Sequence, residues 1–170
     1  RLLDVIPKTA IVTLITNLNV DLERNKIFQK LANRNRVGWS MSFDNIDERM
    51  EYVRHGGSWE LTVKNLQTIK QLMKDQGQWG GIHSVYNIYN ATRICELREF
   101  AEETKVSVLW QNLFQPDYLD PFCHGPIVAA AAIDEIQQFY QMGCATEAEK
   151  QFFDQSLNNY KAKQCQKERL

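Results

Sequence analysis

The chain has 170 residues, 44% of them hydrophobic and 24% charged, with a formal net charge of −1. That is enough chain for about one domain, and the near-neutral balance gives no electrostatic pull toward nucleic acid or an anionic membrane. No run of about 18 apolar residues occurs, so no spanning helix is expected; the longest apolar stretch, Ile127 to Ile133, is Ala-rich and short.

In chain order, Ala10 to Thr16 (AIVTLIT) is short and β-branched and reads as a strand. Asp21 is placed to cap a helix over about 22–33, with Leu22, Ile27, Phe28 and Leu31 apolar. Val37 to Phe43 alternates large apolar with small or polar residues, the pattern of a second strand. The acidic turn that follows predicts a short helix, Ile46 to Val53. Ser58 can cap a helix over about 59–75, in which Leu66, Ile69, Leu72 and Met73 share a face and Gly77 follows as a stop. Gly81 to Tyr86 is a third strand. Asn90 can cap a helix over about 91–104, with Ile94, Leu97, Phe100 and Ala101 on one side. Val106 to Trp110 is a fourth strand, followed by a loop with prolines and two helical patterns. In the first, Val128, Ala132, Ile136 and Tyr140 recur in steps of four. The second opens on the capping box TEAE at 146–149 and continues with Phe152, Leu157 and Tyr160. The last ten residues are polar and expected to fray.

Strands alternating with helices imply βαβ units, parallel strands and right-handed crossovers. No internal repeat is visible. Four βα units are about half of a closed eight-stranded barrel, which needs roughly 250 residues, so the chain is either a small open sheet or part of a larger barrel. No G-x-G-x-x-G or P-loop follows any strand, which argues against a complete doubly wound nucleotide enzyme.

Four cysteines, at 95, 123, 144 and 165, are widely spaced, with no C-x-x-C pair for zinc, and histidines 55, 83 and 124 are equally scattered. No secretory signal precedes the first elements, so the expectation is a cytoplasmic protein with free thiols. The chain opens on Arg1 without Met, which suggests a piece of something longer.

Side-chain parity locates the chemistry. In the second strand Val37, Trp39, Met41 and Phe43 form the set that helices should cover; Gly38, Ser40, Ser42 and Asp44 form the opposite set. A sheet covered on both faces is apolar on both, so this strand lies either at a solvated edge or against a polar lumen. Polar residues recur near the C-terminal ends of other strands: Thr13 and Asn17 in the first, His83 and Asn87 in the third. Ligands of parallel α/β folds sit at that end. Arg54, just before His55-Gly56-Gly57, could fork onto a ligand carboxylate.

The segments LITNLNV (14–20), WSMSFDNIDERMEYVRHGGSWELTVKNLQTIKQL (39–72), SVYNIYNATRICELREFAEE (84–103) and VLWQNLFQPDYLD (108–120) resemble radical S-adenosylmethionine (SAM) enzymes, in particular phage and bacterial members with a twitch-type C-terminal extension. The resemblance spans most of residues 10–140. It implies an α/β fold: part of a (β/α)6 partial TIM-like barrel over residues 1–113, about four parallel strands with helices, followed by a loop and a helical twitch-like extension over 114–170. It also implies SAM as the small-molecule partner. Ser42, Asp44 and Arg54 would contact SAM, with Asn17, Ser40, His83 and Asn87 as further lumen residues and Gln111 toward an unknown substrate, peptide or small molecule.

The chain departs from that family in its metal site. The Cys-x-x-x-Cys-x-x-Cys loop that binds the [4Fe-4S] cluster is absent, as is the Gly-Gly-Glu segment of the second family strand. The resemblance begins at the third strand, which implies either a piece lacking two βα units or a degenerate fold. The complete protein would cleave SAM to a 5′-deoxyadenosyl radical that abstracts a substrate hydrogen. This chain alone is expected to be inactive. The alternative is a non-catalytic α/β binding module with a vestigial nucleotide or SAM crevice. Cysteines spaced like Cys123, Cys144 and Cys165 are better read as ordinary thiols than as ligands of an auxiliary cluster.

Overall fold

Four strands, β1 (Val12–Thr16), β2 (Val37–Ser42), β3 (Trp79–Tyr86) and β4 (Ser107–Asn112), pair in parallel in the order β1-β2-β3-β4. The computed structural model describes residues 2–113 and 115–167. Seven helices accompany the sheet: α1 (Leu2–Val5), α2 (Lys26–Ala32), α3 (Asp47–Val53), α4 (Trp59–Gln76), α5 (Ile94–Thr104), α6 (Pro126–Gln141) and α7 (Glu147–Lys167). Two 3-10 turns, Asp117–Leu119 and Pro121–Cys123, lie between β4 and α6. The sheet is open, with β1 and β4 as its edges. Its strand order is sequential, without the reversal that marks a doubly wound sheet.

All the helices that pack on the sheet use one face. Right-handed crossovers between consecutive neighbours return to the same side, and burial shows the result. Val37, Trp39, Met41, Ile82, Tyr86 and Trp110 are buried on that side. They meet Phe28 and Leu31 of α2, Leu66 and Ile69 of α4, Leu97 of α5, Ile136 and Phe139 of α6 and Phe153 of α7 in a single core. Among the described residues nothing covers the opposite face. In register across it stand Thr13, Gly38 and Trp79; Ser40, Gly81 and Ser107; Ser42, His83 and Leu109; and Val85 with Gln111. Ile15 is 71% exposed there, Leu109 66% and Trp79 45%. β2 is an interior strand, so the solvated-edge explanation of its polar set is set aside; the set points into the uncovered face.

Several boundaries differ from expectation for local reasons. Asp21 does not cap α2; its carboxylate accepts from the Glu23 and Arg24 amides in a preceding turn, and Asn25 caps instead, accepting from Ile27 N at 2.9 Å and Phe28 N at 3.1 Å. Leu22 is buried ahead of the helix, and Ile27 is exposed. Asn90 does not cap α5 either, because its side chain is used to tie β2 to β3, and the helix starts at Ile94. β3 begins two residues early, at Trp79, where Gly80 lets β2 approach: a Cβ there would lie 2.4 Å from the Trp39 carbonyl oxygen.

Other signals behave as expected. Ser58 Oγ accepts from Leu61 N at 3.3 Å, and Gly77 closes α4 in the left-handed region at φ +63°. Thr146 and Glu149 form the reciprocal capping box of α7: the Glu149 carboxylate accepts from Thr146 N at 2.9 Å, and Thr146 Oγ1 accepts from Glu149 N at 3.3 Å. In α7 the core residue is Phe153 rather than Phe152. The helix runs to Lys167, and the remainder of the end expected to fray lies outside the described residues. Cys95 and Cys144 are free thiols. Among the described residues no helix is long and apolar enough to cross a membrane.

Candidate functional site

The C-terminal edge of β2 is where polar groups converge. Ser42, Asp44 and Arg54 come together although Arg54 lies beyond the intervening helix α3. Arg54 Nη2 donates to Asp44 Oδ2 at 3.1 Å and reaches Ser42 Oγ at 3.4 Å. Asp44 turns its other oxygen, Oδ1, to accept from the Val85 amide of β3 at 2.8 Å. One carboxylate thus straps β2 to β3 and orients the guanidinium over the strand ends. Charge-assisted bonds of this kind are the stronger class, and the pair is mostly buried, with side-chain exposures of 27% for Arg54 and 11% for Asp44. Arg54 Nε is buried without a partner among the described residues.

The loop carrying Arg54 is held from the β1 side. Asn19 Nδ2 donates to the Gly56 carbonyl at 2.9 Å, and Asn19 Oδ1 accepts from Ser58 N at 3.2 Å. Asn65 of α4 in turn donates to the carbonyls of Leu18 and Val20, both at 2.7 Å. Leu18 sits at φ +56°, the left-handed conformation this tight turn requires of a non-glycine residue. The loops after β1 and after α3 therefore form one unit above the sheet edge.

Ser40 and His83 share the uncovered face with Ser42, and His83 stands directly opposite Ser42 in the β2–β3 register. Gln111 is exposed on the same face of β4, opposite Val85. Two residues have local duties instead. Asn17 Oδ1 accepts from the Asn19 amide, closing its own turn. Asn87 is buried; its amide donates to the Val85 carbonyl and accepts from Tyr89 N, both at 2.8 Å.

Two roles were not visible in sequence. Asn90 donates to the Asp44 carbonyl at 3.1 Å and to the Val85 carbonyl at 2.9 Å, and accepts from the Asn87 amide at 2.8 Å. It ties the ends of β2 and β3 together beneath the Asp44–Arg54 pair. The repeated Asn in YNIYNA was the available signal, since Asn competes for backbone groups in turns. Asn45 is buried with neither amide atom partnered; nothing in its sequence context marks it. Among the described residues no group of three His, Cys, Asp or Glu side chains could hold a metal ion.

No family model matches the chain, and no curated protein matches it. Among solved structures the chain is similar to native anSMEcpe with bound AdoMet, at 19% sequence identity and a TM-score of 0.43. The match covers 65% of this chain and 29% of that one, so the chain spans under a third of that structure's length.

Proposed function

We propose that the uncovered face and the C-terminal edge of this sheet form one wall of a SAM-binding site, the second half of a radical SAM barrel. The observation that carries the proposal is the convergence of Ser42, Asp44 and Arg54 at the end of β2, on the face that no helix covers. The sequential strand order and single-sided helices support the same reading, since they are what a segment of a singly wound barrel requires. The residues fit a zwitterionic nucleoside. Arg54 spends Nη2 on Asp44 and Ser42, and its Nη1 makes no hydrogen bond among the described residues, so its fork has donors left for a carboxylate. Ser40, Ser42 and His83 offer hydroxyl and imidazole groups along the sheet. When bound, SAM would supply an adenosyl group for transfer or radical chemistry; these residues would bind and orient it and hold its charged end away from water.

The [4Fe-4S] cluster does not fit the described residues, because no ligand group for it is among them. No step through a cluster is assigned to this chain. That favours a second reading: a non-catalytic binding module that keeps the nucleoside crevice. Equilibrium dialysis with labelled SAM, in the absence of iron, tests what the two readings share. One SAM bound per chain, weakened several-fold by Ser42→Ala, is the expected result. No saturable binding at millimolar SAM would overturn both. Radical chemistry is tested separately, by pairing this chain with a protein that supplies the cluster-bearing units.

A further inference from the structure

A second cleft lies on the helix-covered side of the sheet, at the C-terminal ends of β3 and β4, where α7 and the 3-10 turns close over them. Its volume is about 450 Å³, within the ~300–1,000 Å³ range of small-molecule sites. Three carboxamides face it: Asn112 from the end of β4 and Gln155 and Asn159 from one side of α7. Asn112 Oδ1 accepts from Ser156 Oγ at 3.1 Å, which orients the amide and leaves its NH2 without a partner among the described residues. Gln155 and Asn159 likewise make no side-chain hydrogen bond among the described residues. Phe122, stacked on Tyr160 with centroids 5.0 Å apart, supplies an aromatic wall.

Tyr86 closes the inner end of the cleft. It is 3% exposed, and its hydroxyl is buried with no hydrogen-bond partner among the described residues. Buried polar groups are paired as a rule, so an orphaned one marks a missing partner. Burial first, then the Asp120 and Glu135 carboxylates, push the phenol's pKa up, so it stays a donor. Among the described residues no Lys, Arg or His lines the cleft, and its one carboxylate, Asp120, already accepts from Phe122 N at 2.9 Å, which disfavours phosphates and carboxylates. Amides that donate and accept at once, beside an aromatic face, match a molecule rich in hydroxyls, which also do both.

We propose that this cleft binds a neutral polyhydroxyl ligand of monosaccharide size, held by Asn112, Gln155 and Asn159 with Tyr86 behind them. The proposal is independent of the SAM reading, because the cleft lies on the other side of the sheet. The test is NMR titration of the full chain with D-glucose and myo-inositol, with ethanolamine and inorganic phosphate as charged probes. Saturable shifts of the three side-chain amides with a neutral probe are expected. Asn159→Ala should weaken the binding about fivefold or more, and Tyr86→Phe should weaken it while the fold is kept, as read by the melt. Absence of saturable shifts with both neutral probes, unchanged affinity in Asn159→Ala, or binding of a charged probe in their place would overturn it.

Discussion

Glu149→Ala removes the centre of a buried polar junction between α5, α7 and β4. Glu149 is 4% exposed. Its Oε2 accepts from Thr146 N at 2.9 Å and Thr146 Oγ1 at 2.8 Å; its Oε1 accepts from Trp110 Nε1 at 3.3 Å and lies 3.7 Å from Arg98 Nη1. Losing the capping box costs about 1 kcal/mol. Removing one partner of a buried ion pair costs ~3–5 kcal/mol, because the remaining charge is stranded. Arg98 retains Glu102 and donates to the Cys144 carbonyl at 3.1 Å, so the lower end of that range applies. The sum is about 3–4 kcal/mol, or a melting shift near 10 °C for a chain of this size. Glu149→Gln keeps the shape and the Trp110 contact and should cost about half as much. Urea denaturation followed by tryptophan fluorescence reads both, with Trp110 inside the junction. A Glu149→Ala loss below about 1 kcal/mol, or no loss in Glu149→Gln, would refute the assignment of a charged junction.

Other predictions follow from packing, charge and edges. Gly80→Ala places a Cβ against the Trp39 carbonyl at 2.4 Å; because the obstacle is backbone, the strands must part, and chemical denaturation should show a loss of about 2–3 kcal/mol. Cys95 has its thiol pKa pushed up to about 12 by burial first and then by Glu135. In the folded state it holds its proton above the unfolded thiol's pKa, so this contribution to stability is present at neutral pH and fades as pH rises toward 12. Alkylation of Cys95 should accordingly be slow in buffer at pH 8 and fast in urea, and equal rates would contradict the half-buried placement. The unpaired edge of β1 and the exposed apolar groups beside it predict self-association, reduced by Ile15→Lys; a monodisperse monomer by light scattering for the unmodified chain would count against it.

The parity of VGWSMSFD was enough to separate the covered from the uncovered face of β2, because period-two alternation survives any tertiary context that buries only one side. Helix α4 was legible down to its cap and stop, since Ser58 and Gly77 act through their own backbone neighbourhood. Asp21 and Asn90 misled for the same reason as each other: a side chain that can cap a helix can equally close a turn or bridge two strands, and which it does depends on partners far away in sequence. The Asp44–Arg54 pair was half visible. Both residues were candidates for a ligand, but that Arg54 folds back ten residues to meet Asp44, and that Asp44 also holds β3, required the register of the sheet. The cleft between β4 and α7 left no local signature, because its amides come from elements about forty residues apart.

In the proposed site Asp44 aims Arg54 at the carboxylate of a bound SAM. Binding of SAM and of methylthioadenosine, which shares the nucleoside but lacks the carboxylate, should be measured on the unmodified chain and on Arg54→Gln. Arg54→Gln is expected to weaken SAM by about 10- to 100-fold, the worth of a charged hydrogen bond, and to leave methylthioadenosine unchanged. Equal weakening of both ligands, or none of either, would contradict it.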